Sequence, residues 1–328
     1  MIVLKKESGK DFIILNLTDP QLGNEGWGHA HPNQMVLREI LRILIDRVHP
    51  DLITVSGDFA LPGHTDAYRH FADLMDSFRI PWAPVWGNHD NEMGSSYIDS
   101  IADEYLTHQY CLYEKGPSTL GNGNYVIGIE EDGIIVEGLI MMDSHNKELY
   151  ESQNGKVSSV NAKLLPAQLI WYREQVEILR KRGCNDTTLI LHIPIYAYRT
   201  AFQMAFSPAF IPTQVSIEDS YKEDCWNEGY KDSFGVCYEG VSSYPVDDGV
   251  FDLIKHLNST KTVVAGHDHV NNFVIQHKGI RLVYGTKTGI GSYWNRTLNG
   301  GTVLKITSDG VADVHHEYTK FKFDYELI

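Results

Sequence analysis

The stretch that decides the fold reads PWAPVWGNHD and runs from Pro81 to Asp90. Its first six residues are apolar or are proline, and they predict a buried strand. Directly after the strand come Gly87, Asn88, His89 and Asp90, and the last three side chains can bind metal or move protons. The stretch therefore predicts a strand whose carboxyl end is followed by side chains that can bind metal or transfer protons.

The same change from an apolar run to polar side chains occurs at four other places. The runs Phe12–Thr18, Leu52–Ser56, Thr188–Leu191 and Thr262–Ala265 end in Asp19-Pro20-Gln21, Gly57-Asp58, His192 and Gly266-His267-Asp268-His269, respectively. In open α/β sheets, ligands bind outside the carboxyl ends of the strands. We therefore expect these five strand ends to form one site.

Helical patterns separate the first strands, which indicates an α/β fold. Apolar residues recur at helical spacing from Met35 to Val48, and a second helix is predicted from Thr65. Strand–helix–strand order favours parallel pairing with right-handed crossovers. The middle and end of the chain predict further strands, the former antiparallel, around a helix from Pro166 to Arg182. With no visible linker or repeat, residues 1–328 are expected to form one domain.

Composition excludes some classes of function. The 328 residues carry a formal net charge of −15, which argues against a general nucleic-acid binder, because such proteins need basic surface. No apolar run approaches the roughly 20 residues that cross a bilayer. The amino-terminal residues do not resemble a signal peptide, so we expect a cytoplasmic protein, although a trimmed leader would leave secretion open.

The cysteines do not indicate a metal knuckle or a disulfide scaffold. Cys111, Cys184, Cys225 and Cys237 show no C-x-x-C spacing. Cys225 and Cys237 are near enough in sequence to pair in an oxidising compartment. Free thiols are the expectation.

The polar strand ends have the composition of a metal site. They supply oxygen and nitrogen donors without thiolate, from Asp19, Asp58, Asn88, His192, His267 and His269. Such a set suits Mn, Fe, Zn or Co. Two carboxylates about 4 Å apart repel by roughly 4 kcal/mol at an effective dielectric constant near 20, so a cation is needed between them. Six or more donors exceed the needs of one open catalytic ion, and pairs of ions about 3.5–4 Å apart are used for displacement at phosphorus.

The ordered motifs resemble those of the calcineurin-like metallophosphoesterase superfamily. The matching blocks are Asp19-x-Gln21, Gly57-Asp58, Gly87-Asn88-His89-Asp90, His192 and Gly266-His267-x-His269. Features of the tail, including Glu239-Gly240-Val241 and Gly291-Ser292-Tyr293, resemble the single-domain branch related to purple acid phosphatases. The resemblance implies a four-layer α/β/β/α sandwich of two mixed sheets, with a dinuclear site at the strand ends.

The resemblance also implies the role of each site residue. One ion is held by Asp19, Gln21, Asp58 and His269, and the other by Asp58, Asn88, His192 and His267, so that Asp58 bridges the pair. The ions are divalent or of mixed valence and are Mn, Fe or Zn. A hydroxide held by them attacks phosphorus in line, while His89 protonates the leaving oxygen or stabilises the developing charge, and Asp90 orients His89.

Two positions depart from the usual pattern of this family. Gln21 occupies a place that is usually histidine, and its carbonyl is a harder and weaker ligand that favours Mn over Zn. Gln21 as a non-ligating loop residue and His192 as a core histidine are the alternative interpretations. Leu61 stands where purple members carry a tyrosine on iron, so a purple chromophore is not expected.

Three functions remain open from the sequence. The first is phosphomonoesterase, the second is phosphodiesterase or nucleotide pyrophosphatase, and the third is a metal-free scaffold that binds a partner protein. A small phosphorylated molecule is the expected substrate, with no nucleic-acid scaffold or membrane as partner. Its identity depends on the loops, mainly residues 23–34 and 193–250, and neither these nor the oligomeric state can be read from one sequence.

Overall fold

A computed structural model describes residues 1–23 and 32–319 of the chain. The strands are β1 (Ile2–Lys5), β2 (Phe12–Leu17), β3 (Leu52–Ser56), β4 (Trp82–Val85), β5 (Tyr125–Glu131), β6 (Ile134–Met141), β7 (Lys147–Glu151), β8 (Val157–Asn161), β9 (Thr187–Ile190), β10 (Thr260–Ala265), β11 (Val274–His277), β12 (Ile280–Tyr284), β13 (Gly300–Thr307) and β14 (Gly310–Tyr318). The helices are α1 (Pro32–Val48), α2 (Thr65–Ser77), α3 (Ser95–Tyr105), α4 (Pro166–Lys181), α5 (Ala197–Ala205), α6 (Ile217–Ser220) and α7 (Val250–Leu257). The short 3₁₀ turns are Ser118–Leu120, Pro212–Gln214 and Glu223–Cys225.

Two mixed sheets carry the fold. The large sheet has seven strands in the order β1-β5-β6-β9-β10-β12-β11, and the small sheet has five in the order β14-β13-β2-β3-β4. Strands β2, β3 and β4 are parallel neighbours, and so are β9 and β10. Strand pairs β5–β6, β11–β12 and β13–β14 are antiparallel. The predicted α/β class with two mixed sheets is confirmed.

The large sheet is covered on both faces, which produces the layers. Successive side chains of a strand point to opposite faces. In β10, Val263 lies in a core with residues of α4, α5 and α7, whereas Val264 lies in the core shared with the small sheet and α1–α3. Leu189 and Ile190 of β9 divide in the same way. The order of layers is therefore helix, large sheet, small sheet, helix.

Several elements differ from the sequence prediction. The segments Ile134–Val136 and Gly138–Met142 form one continuous strand, β6, with β5 on one side and β9 on the other. Strand β1, the separate β7–β8 hairpin and helix α3 had no predicted counterpart, and part of the expected loop 193–250 is helical. All four cysteines are free thiols. Within the described residues, no helix has both the length and the apolar character that crossing a membrane requires.

Candidate metal centre

The five predicted strand ends meet where the two sheets adjoin. Asp19 and Asp58 follow the parallel strands β2 and β3 of the small sheet. The hydrogen bonding between the two segments continues past the strand ends, since the Gln21 amide donates to the Asp58 carbonyl at 2.9 Å. His192 and His267 follow β9 and β10 of the large sheet. The sheets are joined here by the His267 amide, which donates to Asp19 Oδ2 at 3.0 Å.

The chain turns abruptly to bring these side chains inward. Asp19, Gln21, Asp58 and His267 all have positive φ angles, of 56°, 43°, 57° and 86°. Residues other than glycine rarely adopt such angles, each of which costs about 1–3 kcal/mol and clusters at functional sites. Four of the seven predicted ligands therefore sit in strained backbone that the surrounding fold maintains.

Two glycines leave the space that the ligands occupy. A Cβ atom on Gly87 would lie 2.2 Å from Asp58 Oδ1, and one on Gly57 would lie 2.5 Å from the His192 ring. Neither distance is compatible with a real side chain. The close approach of Asp58 therefore requires the glycine at position 87, and that of His192 requires the glycine at position 57.

One half of the site forms around His192. Its Nε2 lies 3.1 Å from Asn88 Oδ1, 3.3 Å from Asp58 Oδ2 and 3.3 Å from His267 Nδ1. The other ring nitrogen, Nδ1, lies 2.7 Å from the Ser56 carbonyl and carries a proton to donate there. A neutral His192 therefore presents a lone pair at Nε2 toward the same point as two oxygen ligands.

The other half forms around Asp19. Asp19 Oδ2 accepts hydrogen bonds from the Thr18 hydroxyl and the His267 amide, whereas Oδ1 is buried and has no hydrogen-bond donor. His269 Nε2 lies 3.4 Å from this Oδ1, and its Nδ1 is held by the Tyr293 carbonyl at 2.7 Å. Asp19 Oδ1 and His269 Nε2, each of which can donate an electron pair to a metal ion, thus face each other.

Gln21 has the same unusual environment. Its Nε2 donates to Asp58 Oδ2 at 3.1 Å, and its Oε1 is buried without a hydrogen-bond partner. Buried oxygens without donors are rare in proteins and call for an explanation such as an ion. The oxygens of Asp19 and Gln21, together with the imidazole lone pairs, therefore fit divalent cations.

The ionisable side chains of the site are buried close together, and they shift one another's pKa values. Burial alone lowers the pKa of His192, but Asp58 and Asp19 oppose it and raise the pKa to about 10. Burial raises the pKa of Asp58, yet His192 lowers it to about 2, and the same balance lowers the pKa of Asp19. Burial and then His192 lower the pKa of His267 to about 3. The ion-free site consequently holds one proton on His192 at neutral pH.

Ion binding is expected to release that proton. A cation needs the Nε2 lone pair of His192, and this nitrogen is protonated below pH 10 in the ion-free protein. Below about pH 10, His192 alone should make affinity rise about tenfold per pH unit, and above it this contribution should vanish. Calorimetric titration with Mn²⁺ at pH 7 in two buffers of different ionisation enthalpy counts the protons. Binding without proton release would contradict the arrangement.

The two predicted catalytic residues have different surroundings. His89 is partly exposed, with Nε2 lying 3.9 Å from Asp58 Oδ2 and Nδ1 lying 2.6 Å from Glu92 Oε1. The Glu92 carboxylate therefore lies beside Nδ1, while Nε2 faces Asp58. Sequence reasoning missed Glu92, for which the only signal was an acidic residue three positions after His89.

The predicted role of Asp90 is wrong. Asp90 Oδ2 accepts from the amides of Asp58 and Gly87 at 2.8 and 2.7 Å, and Oδ1 accepts from the Phe59 amide and the Tyr68 hydroxyl at 3.1 and 2.8 Å. Both carboxylate oxygens are thus committed to the two loops that carry Asp58 and Asn88. Asp90 fixes the backbone of the site, and the carboxylate next to the His89 ring is that of Glu92 instead.

Other site-lining residues had no sequence signal. Lys287 is buried and donates to the Asp19 carbonyl at 2.6 Å, and burial lowers its pKa to about 8 although Asp19 opposes the shift. Asn161 Nδ2 lies 2.9 Å from His267 Nε2. Asp268 binds the Ser242 amide and the Tyr284 hydroxyl, so it has a structural role. His29 and His31, which follow the Asp19 motif in the sequence, lie outside the described residues.

Comparison with known proteins agrees with this geometry. The calcineurin-like phosphoesterase family model matches residues 13–271. "Probable inactive purple acid phosphatase 28" of Arabidopsis thaliana is 26% identical over 78% of this chain and 64% of its own length. "Phosphatase DCR2" of Saccharomyces cerevisiae is 28% identical over 80% of this chain and 43% of its own length. The chain thus spans less than two thirds of either relative.

A solved structure shares the fold at low sequence identity. A dimetal phosphatase from Danio rerio superposes with a TM-score of 0.54 at 13% identity, covering 94% of this chain and 95% of the other. At this identity the likeness concerns the arrangement of sheets and helices. The layers seen here therefore recur in a protein that is described as binding two metals.

Proposed function

Because the chain belongs to the calcineurin-like phosphoesterase family, we propose that it is a metal-dependent hydrolase of phosphate monoesters. The observation that carries the proposal is the convergence of oxygen and nitrogen donor atoms on one buried point, with two of the oxygens lacking any hydrogen-bond donor. Asp19 Oδ1 and Gln21 Oε1 are buried and unpartnered, and Asp58 Oδ2 lies between the Gln21 amide and His192 Nε2. Divalent cations among these atoms would satisfy the two unpartnered oxygens and offset the repulsion between the carboxylates of Asp19 and Asp58.

The residues divide between two positions for ions. Asp19, Gln21 and His269 would hold one ion, and Asn88, His192 and His267 would hold the other, while Asp58 contributes to both. Ions bound there would activate water and neutralise negative charge on the phosphoryl group. The oxygen-rich first position, with Gln21 in place of an imidazole, favours Mn or Fe over Zn.

The chain itself supplies a proton donor. The Glu92 carboxylate lies 2.6 Å from Nδ1 of His89, whereas Nε2 of the ring faces Asp58. His89 also lines the small cavity next to the predicted ligands. His89 Nε2 would therefore protonate the leaving oxygen.

Replacing His89 by alanine should lower kcat by about 10²–10⁴-fold, the usual contribution of general acid–base catalysis, while both ions stay bound. His89 contacts Asp58 through its backbone amide, which the substitution retains. Steady-state kinetics and metal analysis of the same sample measure the two effects. The exposed His256 on α7 provides the matched control in a His256→Ala variant. Loss of the ions in His89→Ala would show that its role is structural.

Monoesters and diesters are separated by a direct assay. The alternative of a phosphodiesterase or nucleotide pyrophosphatase rests on Gln21. Other branches of the superfamily also carry glutamine at this position, and the alternative follows by analogy with them. Comparing p-nitrophenyl phosphate with bis-p-nitrophenyl phosphate decides the matter. We expect the higher kcat/KM for the monoester, and a preference for the diester would replace the proposal with the alternative.

The metal-free scaffold is the alternative from a different class. The name of the Arabidopsis relative describes that protein as probably inactive. In this chain every predicted ligand position carries a residue with an oxygen or nitrogen donor, and the described donors converge. Metal analysis after exposure to Mn, Fe and Zn separates an enzyme from a scaffold, since a scaffold retains no stoichiometric ion.

A further inference from the structure

Two neighbouring cavities open beside the predicted ligands. The smaller cavity, of about 280 Å³, is lined by His89, His267 and His269 among others. The larger, of about 590 Å³, extends from it toward α5 and the segment around Val241. Both cavities are lined by the same three residues, Lys147, Asn161 and Ser242. The shared lining places the two cavities side by side, with these three residues between them.

The β7–β8 hairpin places a lysine between the two cavities. Lys147 at the start of β7 pairs with Asn161 at the end of β8. Lys147 Nζ donates to Asn161 Oδ1 at 2.5 Å, and Asn161 Nδ2 contacts both the Ser242 carbonyl and His267 Nε2. Lys147 is thereby fixed next to a predicted metal ligand. Among the described residues that line the smaller cavity, it is the sole lysine or arginine.

The smaller cavity suits a phosphoryl group. Its walls present hydrogen-bonding side chains, among them Asn88, Ser242 and Ser292. The Lys147 ammonium provides a positive charge for non-bridging oxygens, and a lysine acts on phosphate as such a point charge. A large leaving group on a phosphoryl group bound there would extend toward the adjoining cavity.

The larger cavity has a different character. Val160, Phe202, Val241 and Pro245 give it apolar walls. Arg199 also lines it, but its guanidinium donates to the Val241 carbonyl at 2.9 Å. Polar side chains, among them Gln203 and Ser243, complete the lining, and apolar walls with placed polar groups are typical of a small-molecule site.

We propose that the two cavities form one substrate site, in which Lys147 binds the phosphate and the larger cavity takes an aromatic or aliphatic leaving group. The inference rests on the proposed function for the placement of the phosphate. It defines the substrate class as a phosphate ester with a sizeable apolar leaving group. Lys147 and the walls of the larger cavity are then the determinants of specificity.

Binding of non-hydrolysable phosphonates to the Mn²⁺-loaded protein tests this inference. Calorimetry compares methylphosphonate with naphthylmethylphosphonate, and we expect the second to bind at least about tenfold tighter because its rings leave water. Lys147→Met should weaken both ligands about tenfold, whereas Lys147→Arg should retain most of the affinity. Lys156, exposed on the same hairpin, gives the matched control Lys156→Met, which should bind as the unaltered protein does.

Filling the larger cavity tests its role separately. A Cβ atom on Gly240, which lines that cavity, would meet no atom within 4 Å, so a side chain can be added without displacing the backbone. Gly240→Phe should abolish the preference for naphthylmethylphosphonate and leave methylphosphonate binding within about twofold. Gly240→Ala is the control and should keep the preference.

The possible outcomes separate the inference from the proposed function. Equal affinity for the two phosphonates, or a Lys147→Met variant with undiminished methylphosphonate affinity, would overturn the inference. Failure of either phosphonate to bind the Mn²⁺-loaded protein would also overturn it. If both bind as expected while p-nitrophenyl phosphate is not hydrolysed, the inference about binding stands and the proposed hydrolase function fails.

Discussion

Replacing Asp58 by alanine is expected to remove both ions and to lower kcat/KM by more than about 100-fold. Loss of a residue that only orients a metal ligand costs about 10–100-fold, and loss of a ligand itself should cost more. Among the described residues, Asp58 contacts side chains from both halves of the site. Its Oδ2 lies beside His192 Nε2 and the Gln21 amide, and its Oδ1 accepts from the His89 amide at 2.9 Å. Metal analysis and kinetics on the same sample measure the effect.

The backbone at Asp58 calls for a second variant. Its φ of 57° is unfavourable for alanine, so part of the effect of Asp58→Ala would come from strain. Asparagine tolerates this conformation and keeps the shape of the side chain while removing its charge. Asp58→Asn should therefore fold normally and still lose the ions. The exposed Asp46 on α1 provides the control Asp46→Ala, and an Asp58→Asn protein that keeps two ions and near-normal activity would contradict the bridging role.

Replacing Asp90 by alanine is expected to lower the free energy of unfolding by about 3 kcal/mol or more. The substitution leaves the amides of Asp58, Phe59 and Gly87 without their acceptor, and each buried donor that is left unsatisfied costs about 1–3 kcal/mol. The two loops that carry predicted ligands then lose their common anchor, so metal affinity should fall as well. Urea unfolding and Mn²⁺ titration measure the two quantities.

The same variant distinguishes two roles for Asp90. If Asp90 served to orient His89, Asp90→Ala would lower kcat at unchanged stability and metal content. The hydrogen bonds predict loss of stability and of metal affinity, with Asp46→Ala as the neutral control. Retention of full stability would therefore show that the carboxylate does not hold the loops.

The fold and the centre of the site were predictable because both follow from strand ends. Five apolar runs followed by polar residues indicated parallel strands, and the carboxyl ends of parallel neighbours meet at one edge. The structure brings together Asp19, Gln21, Asp58, Asn88, His192, His267 and His269, as the pattern predicted. Their role as metal ligands stays a prediction until ions are measured.

The residues around this centre were not predictable from local patterns. Lys287 contacts Asp19 across 268 positions and Asn161 contacts His267 across 106. Nothing near Lys287 or Asn161 in the sequence specifies these partners. The β7–β8 hairpin is short and mostly solvent-exposed, so its alternation of apolar and polar residues is too weak to indicate a strand pair.

Asp90 shows how adjacency in sequence can mislead. It follows His89 directly, which suggested a pair of side chains that act together. The two residues lie in a turn, where neighbouring side chains point in different directions, and Asp90 is buried while His89 is partly exposed. Its partners are backbone amides, which any sequence provides and which therefore leave no signal in residue identities.

Anomalous diffraction from crystals grown with Mn²⁺ tests the central claim most directly. We predict two anomalous peaks about 3.5–4 Å apart, the usual separation of a two-metal site, with the carboxylate of Asp58 between them. One peak should adjoin Asp19 and His269, and the other His192 and His267. A protein without bound Mn²⁺, or with a single ion distant from Asp58, would contradict the account.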